Sequence, residues 1–431
     1  MRFSAESVHG CHDTILRPKV TESVLLGLDL GTTELAARLV TCDGKVLAEA
    51  KTGNPQSVFG ADIIRRLEAA EGGHAETLKS LLVDGINSLL SELLKQVGLT
   101  ANHISAAAAA ANSGISHLLA GEPVHQLLFP PYRSVYTGGN AFDADSLGID
   151  LPVSLYIFPL ITGYVGGDLV AVLLGGERPE EPTLYLDLGT NAELALWDGE
   201  HWLVTSVAAG PAFEAGHLTY GMRHGPGAIE RVFISPERIK LEVAGGRTPV
   251  GFCGSGFFSA MTAALAAGLI DAPGRICAAA EVDTPLSRYL VETEEGSALQ
   301  VYRDARTCLQ ISQKDVRALQ LAKGAVRAGI DCLLARTGLG GEDVEAVRIT
   351  GALGSALLPQ DLKGVAMIPE IMLDKVRFLP SAVLDGLIVL LASKDGEERV
   401  RQLADELKPY PLSGTPAFEQ RFLNSLDFAS E

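Results

Sequence analysis

At 431 residues the chain is longer than one ordinary domain, so two or more are expected. Its 47% hydrophobic content can bury a core of normal size. A net charge of −18 disfavours nonspecific binding to nucleic acid or an anionic membrane, but it does not exclude a nucleotide held by backbone amides and a metal ion.

The stretch up to residue 23 lacks the apolar centre of a signal peptide and reads as a polar tail. No run reaches the ~18 uninterrupted apolar residues of a membrane helix, so a cytoplasmic protein is expected. Cys11, Cys42, Cys253, Cys277, Cys308 and Cys332 form no C-x-x-C pair and have neither zinc nor iron–sulfur spacing. They read as reduced thiols, and Cys11-His12 reads as part of the tail rather than a ligand remnant.

Residues 24–40 (VLLGLDLGTTELAARLV) read as strand, tight turn, strand. Asp43-Gly44 turns the chain into a third strand over 45–51, which makes a meander rather than a strand-then-helix unit. Residues 58–70 and 77–97 carry apolar positions at helical spacing. The small-residue run 105–111 reads as a buried strand, ended by Asn112-Ser113-Gly114 before a short helix at 115–120. Residues 121–152 read as an irregular excursion. A Gly-Tyr-Val-Gly-Gly-Asp turn and a short apolar run follow.

The opening pattern then returns at 184–197 (LYLDLGTNAELALW). Asp187-Leu188-Gly189-Thr190 repeats Asp29-Leu30-Gly31-Thr32, and Asp198-Gly199 repeats the next turn. A repeat on this scale implies duplicated halves, 24–180 and 181–395, divided where Pro and charge interrupt both helix and strand. The second half continues through a Gly-rich loop (209–227), a helix starting at 253–256 and an amphipathic helix over 312–337. A strand, Gly turn and helix over 348–357 and an apolar helix over 381–391 follow, and 396–431 reads as a polar C-terminal tail.

In an Asp-x-Gly-Thr hairpin, glycine lets backbone approach a phosphate, and turn amides and the Thr hydroxyl can donate to its oxygens. One such hairpin is equally an ordinary turn; two in matched settings can grip one polyphosphate from opposite sides. Gly31, Thr32, Thr33, Gly189, Thr190 and Asn191 are therefore the candidate ATP phosphate contacts. Asp29 and Asp187 are the candidates for orienting Mg²⁺ through its waters. Gly351, Ala352 and Gly354 either pack against adenine and ribose or simply make a turn. Gly254, Ser255 and Gly256 either allow close packing at a hinge or present amides to phosphate. Glu193 and Glu214 are each a candidate water-orienting base or a solvated carboxylate. The histidines show no metal-ligand pattern.

These residues resemble the acetate and sugar kinase, Hsp70 and actin superfamily. The resemblance implies an α/β fold of two RNase H-like, actin/Hsp70-type domains, with mixed sheets flanked by helices and a nucleotide cleft between them. In its usual motif order, the phosphate motifs fall at 25–40 and 184–197, the connecting motifs at 105–119 and 250–271, and the adenosine motif at 347–358. Asn54-Pro-Gln-Ser through Asp62 and Arg65, Gly210–Gly216 with Gly221-Met-Arg, Cys253-Gly-Ser-Gly256, and Ile311–Arg317 through Gln320-Leu-Ala-Lys323 resemble the ATP-dependent reductive activators of corrinoid proteins.

That resemblance implies an ATPase, with ATP and Mg²⁺ as cofactors, that helps return Co(II) to Co(I) on a corrinoid protein or corrinoid-dependent methyltransferase. The sequence departs from the family in lacking a ferredoxin-like domain, so no iron–sulfur cluster is expected in this chain and a separate ferredoxin or flavodoxin would supply the electrons. A second departure is Ser259, where Asp is expected in relatives. A small-molecule kinase and a non-catalytic nucleotide-gated scaffold are alternatives on the same fold. Neither nucleic acid nor membrane is an expected partner; a homodimer is.

Overall fold

A computed structural model describes residues 23–130, 132, 134–216, 218–351 and 357–429. The tail, Cys11, Ala352 and Gly354 lie outside the described residues, as does the side chain of Glu214.

The first half opens with β1 (Val24–Leu30), β2 (Glu34–Thr41) and β3 (Val46–Gly53). They form the antiparallel meander expected from the two turns. Helices α1 (Ile63–Ala69) and α2 (Ala75–Val97) follow, and α2 ends where Gly98 turns left-handed at φ 71°. Next, β4 (Ile104–Ala111) pairs parallel with β1. Its small side chains let helices approach both faces of the sheet. Helix α3 (Ser113–Ala120) starts on the side chain of Asn112, which accepts from Ile115 N.

The excursion at 121–152 is less irregular than expected. It carries α4 (His125–Leu128), β5 (Asn140–Asp143) and α5 (Ala144–Leu147), then leads into β6 (Ser154–Ile157). The sheet order is β3-β2-β1-β4-β6-β5. The apolar run after the Gly-Gly-Asp turn is a helix, α6 (Gly167–Gly175), buried along nearly its whole length.

The second half repeats the plan with β7 (Thr183–Leu188), β8 (Ala192–Trp197) and β9 (Trp202–Val207), again an antiparallel meander. Two small sheets that sequence reasoning did not anticipate come next. One holds β10 (Ala228–Ile234), β11 (Ile239–Val243) and β12 (Gly251–Phe252), and helix α7 (Gly254–Ala266) packs on β10. The other holds β13 (Leu290–Thr293), β14 (Gly296–Arg303) and β15 (Cys308–Ile311).

Helix α8 (Gln313–Thr337) begins with a reciprocal capping box between Ser312 and Asp315 and stops at Gly338. Then β16 (Ala346–Thr350) joins β7 in parallel, α9 (Pro359–Gly364) follows, and β17 (Val376–Phe378) pairs parallel with β16. Helix α10 (Ala382–Ala392) comes next.

The polar composition after residue 395 does not produce a tail. Residues 396–424 fold as α11 (Gly396–Glu406), β18 (Leu407–Pro409) and α12 (Pro416–Asn424). Strand β18 completes the second sheet on β9, and α12 packs along α8. The following turn is held by Gln320 Nε2, which donates to Leu426 O at 2.9 Å, and by Lys323 Nζ, which donates to Asp427 O. The second half therefore runs past 395.

Each sheet has its own core, and a third core lies between them. This third core is built on α6 and α10 and includes Ala36, Ala108 and Ala110 from one sheet and Tyr185, Ala195 and Trp202 from the other. A Cβ on Gly386 would stand 1.8 Å from Ala171 O, and one on Gly175 would stand 2.7 Å from Gly386 N. The helices thus cross backbone to backbone. Arg38 of β2 donates to Asp385 of α10, tying the same helix to the first sheet.

The connection between halves is therefore α6 with α10, not 105–119 and 250–271. The former range is a central strand and α3, and the latter is dominated by α7, which packs within the second half.

Gly386→Ala should gain about 1 kcal/mol of helix propensity. It should lose about 1–3 kcal/mol to overpacking at a backbone contact that cannot give way, so the net effect is destabilising. Gly72→Ala, in open space, should be neutral or slightly stabilising. Urea-unfolding midpoints check this; a Gly386→Ala midpoint at or above wild type would refute the crossing as tight.

Candidate functional site

The two hairpins face each other across one cavity of about 690 Å³, a size that suits a nucleotide. Each predicted phosphate contact lines it: Gly31, Thr32 and Thr33 from the β1–β2 turn, and Gly189, Thr190 and Asn191 from the β7–β8 turn. Asp29, Asp187, Glu193, Gly254, Ser255 and Gly351 line it as well.

The first hairpin is braced from outside. Asn54 Nδ2 donates to Gly31 O at 2.9 Å, while its backbone N donates to Thr33 O at 2.9 Å. Asn112 Nδ2 donates to Thr32 Oγ1 at 2.9 Å. The Asn54 motif is thus a clamp on the first Asp-Leu-Gly-Thr turn, and Asp62 downstream caps α1 through Arg65 N. In the second half Gly210 N donates to Thr190 O at 2.8 Å. Gly351, at φ 94°, fits so closely over this turn that a Cβ would meet Leu188 O at 2.6 Å and Asp187 Oδ1 at 2.7 Å. Asp315 accepts from Thr219 N at 2.8 Å and so ties α8 to the Gly-rich loop.

Two predicted positions resolve toward packing. Gly256 is not among the lining residues; its Cβ would stand 1.8 Å from Ile229 O, so it seats α7 on β10. Ser259 Oγ accepts from Val232 N at 3.0 Å and donates to Val232 O at 3.3 Å, fastening the same helix to the same strand.

Several cleft residues escaped the sequence reading. Asp168 stands at the start of α6, and its Gly-Gly-Asp setting was legible as a turn without being legible as a helix start aimed into a cleft. Lys51 of β3 lines the cavity and pairs with Glu34 at 3.0 Å. Asn112 and Arg223 also line it.

The electrostatics are dominated by burial. Asp29 is pushed up to about 7, mainly because it is desolvated, with Asp168 adding to the shift and Lys51 opposing it. Asp168 is pushed up to about 6 by desolvation. Glu193 is raised well above the carboxylate range by burial, then by the charges of Asp168 and Asp187. Its Oε1 accepts from Gly166 N at 3.2 Å, and its carboxyl also shares a hydrogen bond with that of Asp168.

Such a cluster suits a hydrated cation. Among the described residues no three His, Cys, Asp or Glu side chains converge as a metal cage. A few carboxylates and a retained water shell are what Mg²⁺ takes, and Asp29 and Asp187 stand at the two phosphate turns. The described cysteines are free thiols, with only Cys42 exposed. No helix among the described residues is long and apolar enough to cross a membrane.

Comparison with known proteins places these features in a family. The description "RACo middle region" matches residues 25–177, and "C-terminal domain of RACo, the ASKHA domain" matches 181–431. The "corrinoid activation enzyme RamQ" of Eubacterium limosum is 32% identical over 387 residues, covering 86% of this chain and 64% of the relative. The "[Co(II) methylated amine-specific corrinoid protein] reductase" of Methanosarcina barkeri is 24% identical over 379 residues, covering 80% and 65%. A solved "reductive activator for corrinoid, iron-sulfur protein" superposes with a TM-score of 0.85 at 30% identity, over 95% of this chain and 66% of that one. The chain spans about two thirds of the length of these relatives.

The raised carboxyls make a pH prediction. Unfolded, they release their protons near pH 4; folded, Asp29 holds its proton to about pH 7 and Asp168 to about pH 6. The stability that the neutral forms contribute is complete below about pH 4 and is lost as pH rises through the folded values. Glu193→Gln keeps the shape and removes one charge. Without nucleotide or metal it should raise Tm by about 1–2 °C at pH 8, the scale of about 1 kcal/mol for a chain of this length, and the gain should vanish near pH 4.5. An equal gain at both pH values in thermal melts would point to packing instead.

Proposed function

This chain belongs to the RACo family, and on that premise we propose that it binds and hydrolyses ATP to support the reduction of Co(II) to Co(I) on a corrinoid protein used in methyl transfer. The observation that carries the reading is the pair of matched hairpins, one from each half, facing a single cavity.

In this reading Gly31, Thr32, Thr33, Gly189, Thr190 and Asn191 donate to the polyphosphate. Asp29 and Asp187 hold Mg²⁺ through water, and bound Mg²⁺ supplies charge neutralisation at the phosphate oxygens. Adenosine lies toward Gly351, with Gly254 and Ser255 at the facing helix start. Phosphoryl transfer asks the protein chiefly for positioning and charge stabilisation, which rigid turns supply.

Water attacks the terminal phosphorus, the bond to the leaving ADP oxygen breaks, and the water's proton passes toward a carboxylate. Glu193, a buried carboxyl that lines the cavity beside Asp168, is the acceptor assigned to that water. Glu193 must then act ionised, so the cation brought with the nucleotide has to lower its proton affinity.

The electron that reduces cobalt comes from a separate ferredoxin or flavodoxin, and ATP supplies conformational work through closure of the halves. The setting proposed is the cytoplasm.

The test is Mg²⁺-ATP turnover by the chain, alone and with an oxidised corrinoid protein plus a low-potential donor, while following the Co(I) absorption. Stimulated hydrolysis should accompany cobalt reduction, and Asp29→Ala and Asp187→Ala should each lose about 100-fold or more in turnover. Turnover that requires a hydroxyl or carboxylate acceptor would identify a kinase. Tight binding with no turnover in any mixture would identify a scaffold.

A further inference from the structure

Arg223 belongs to the second half but touches the first. Its guanidinium donates through Nη2 to Thr33 O, the carbonyl that closes the first phosphate turn, at 2.8 Å. Nη1 lies so close over Gly53 that a Cβ there would come within 2.1 Å of it. The backbone beneath Arg223 is fixed. Met222 N donates to Phe252 O at 2.9 Å, Phe252 N donates to Tyr220 O at 2.8 Å, and a Cβ on Gly221 would stand 1.8 Å from Ala215 O. The arginine is thus a rigidly mounted cation spanning the mouth of the cleft.

Its charge is unspent. Lys51, the other Lys or Arg lining the cavity, is already paired with Glu34. The neighbouring His224 is bonded to Glu230 at 2.6 Å. Among the described residues Arg223 meets only a neutral carbonyl. In a cavity lined by Asp29, Glu34, Asp168, Asp187 and Glu193, a free guanidinium is the group that best complements the outermost charge of a polyphosphate.

We infer that Arg223 is a specificity-determining residue that engages the terminal phosphate of the bound nucleotide, so that the cleft distinguishes a nucleoside triphosphate from a diphosphate. The inference rests on the ATP site proposed above. The fixed backbone lets the guanidinium keep or exchange its bond to Thr33 O as the phosphate arrives, so closure of the mouth follows the presence of that phosphate.

Calorimetric titration with Mg²⁺-AMP-PNP and with Mg²⁺-ADP tests it. Arg223→Ala should cut the preference for the triphosphate analogue about tenfold to hundredfold, the value of a hydrogen bond to a charged group, with ADP affinity within about twofold of wild type. Arg223→Lys should recover part of the preference as a point charge. Gly53→Ala, which fills the guanidinium's seat, should lower it too. Arg178→Ala removes an exposed cation that pairs with Glu406 far from the hairpins, and should leave the preference unchanged.

A purely mechanical strap would weaken both nucleotides equally in Arg223→Ala, and that result overturns the inference while leaving the ATP site intact. Wild-type protein that binds neither nucleotide overturns both.

Discussion

Desolvation of carboxyl groups fixed around one cavity is the constraint around which this molecule is arranged. Asp29, Asp168, Asp187 and Glu193 line one cavity, and Asp29, Asp168 and Glu193 hold their protons well above the ordinary range because burial strips them of water, with like charges adding to the shift at Asp29 and Glu193. Left to relax, such groups would turn to solvent. They cannot, because Asp29 and Asp187 sit on central strands, Glu193 pairs with Asp187 across β7 and β8, and Asp168 opens a buried helix. The sheets fix the carboxyls first, and the cavity's chemistry follows from where they are fixed.

The crossing of α6 with α10 supplies the second requirement, that two independently cored halves keep a defined relation. Backbone contact at Gly386 and Ala171 brings the two helices to their closest approach, and Val170, Leu173, Val383 and Leu387 belong to the core built around it. Asp168 is one residue from the start of α6, and Ser381, just before α10, also lines the cavity. The crossing and the site therefore share elements, and the helices that join the halves reach the cavity itself.

What was legible in the sequence was local. The two Asp-Leu-Gly-Thr turns, the amphipathic helix at 312–337 and the strand at 105–111 all declare themselves in a local pattern, and the repeat made the hairpins informative as a pair. Asp168 was illegible because its meaning comes from Glu193, which is distant in sequence. The connecting helices were misplaced because α10 carries an ordinary apolar pattern, and only tertiary contact shows that Gly386 faces another backbone. The C-terminal segment read as a tail because its composition is polar. Its apolar residues nevertheless fall on one side, where Phe418 and Phe422 stack and pack against the second core, and the buried Lys323 satisfies a carbonyl beyond them. The small sheets went unseen because β12 is only two residues long and because β10 and β14, though no shorter than β1, bury their residues without clean alternation.

The family motifs acquire separate physical meanings once placed. Asn54 and Asn112 stiffen the first Asp-Leu-Gly-Thr turn, Asp315 anchors the Gly-rich loop to α8, and Gln320 and Lys323 secure the turn that follows α12. Few of these residues face the cavity. They keep it from adapting, which matters for a cavity that is electrostatically unfavourable when empty. A soft site would hide its carboxyls and lose its preference for a cation-bearing ligand; a stiff one keeps paying the desolvation cost until that ligand arrives. On the proposed reading, the free energy released on filling such a site is available to bias the α6–α10 crossing. That is how a chain with no metal cage of its own among the described residues could couple a nucleotide to work on a partner protein.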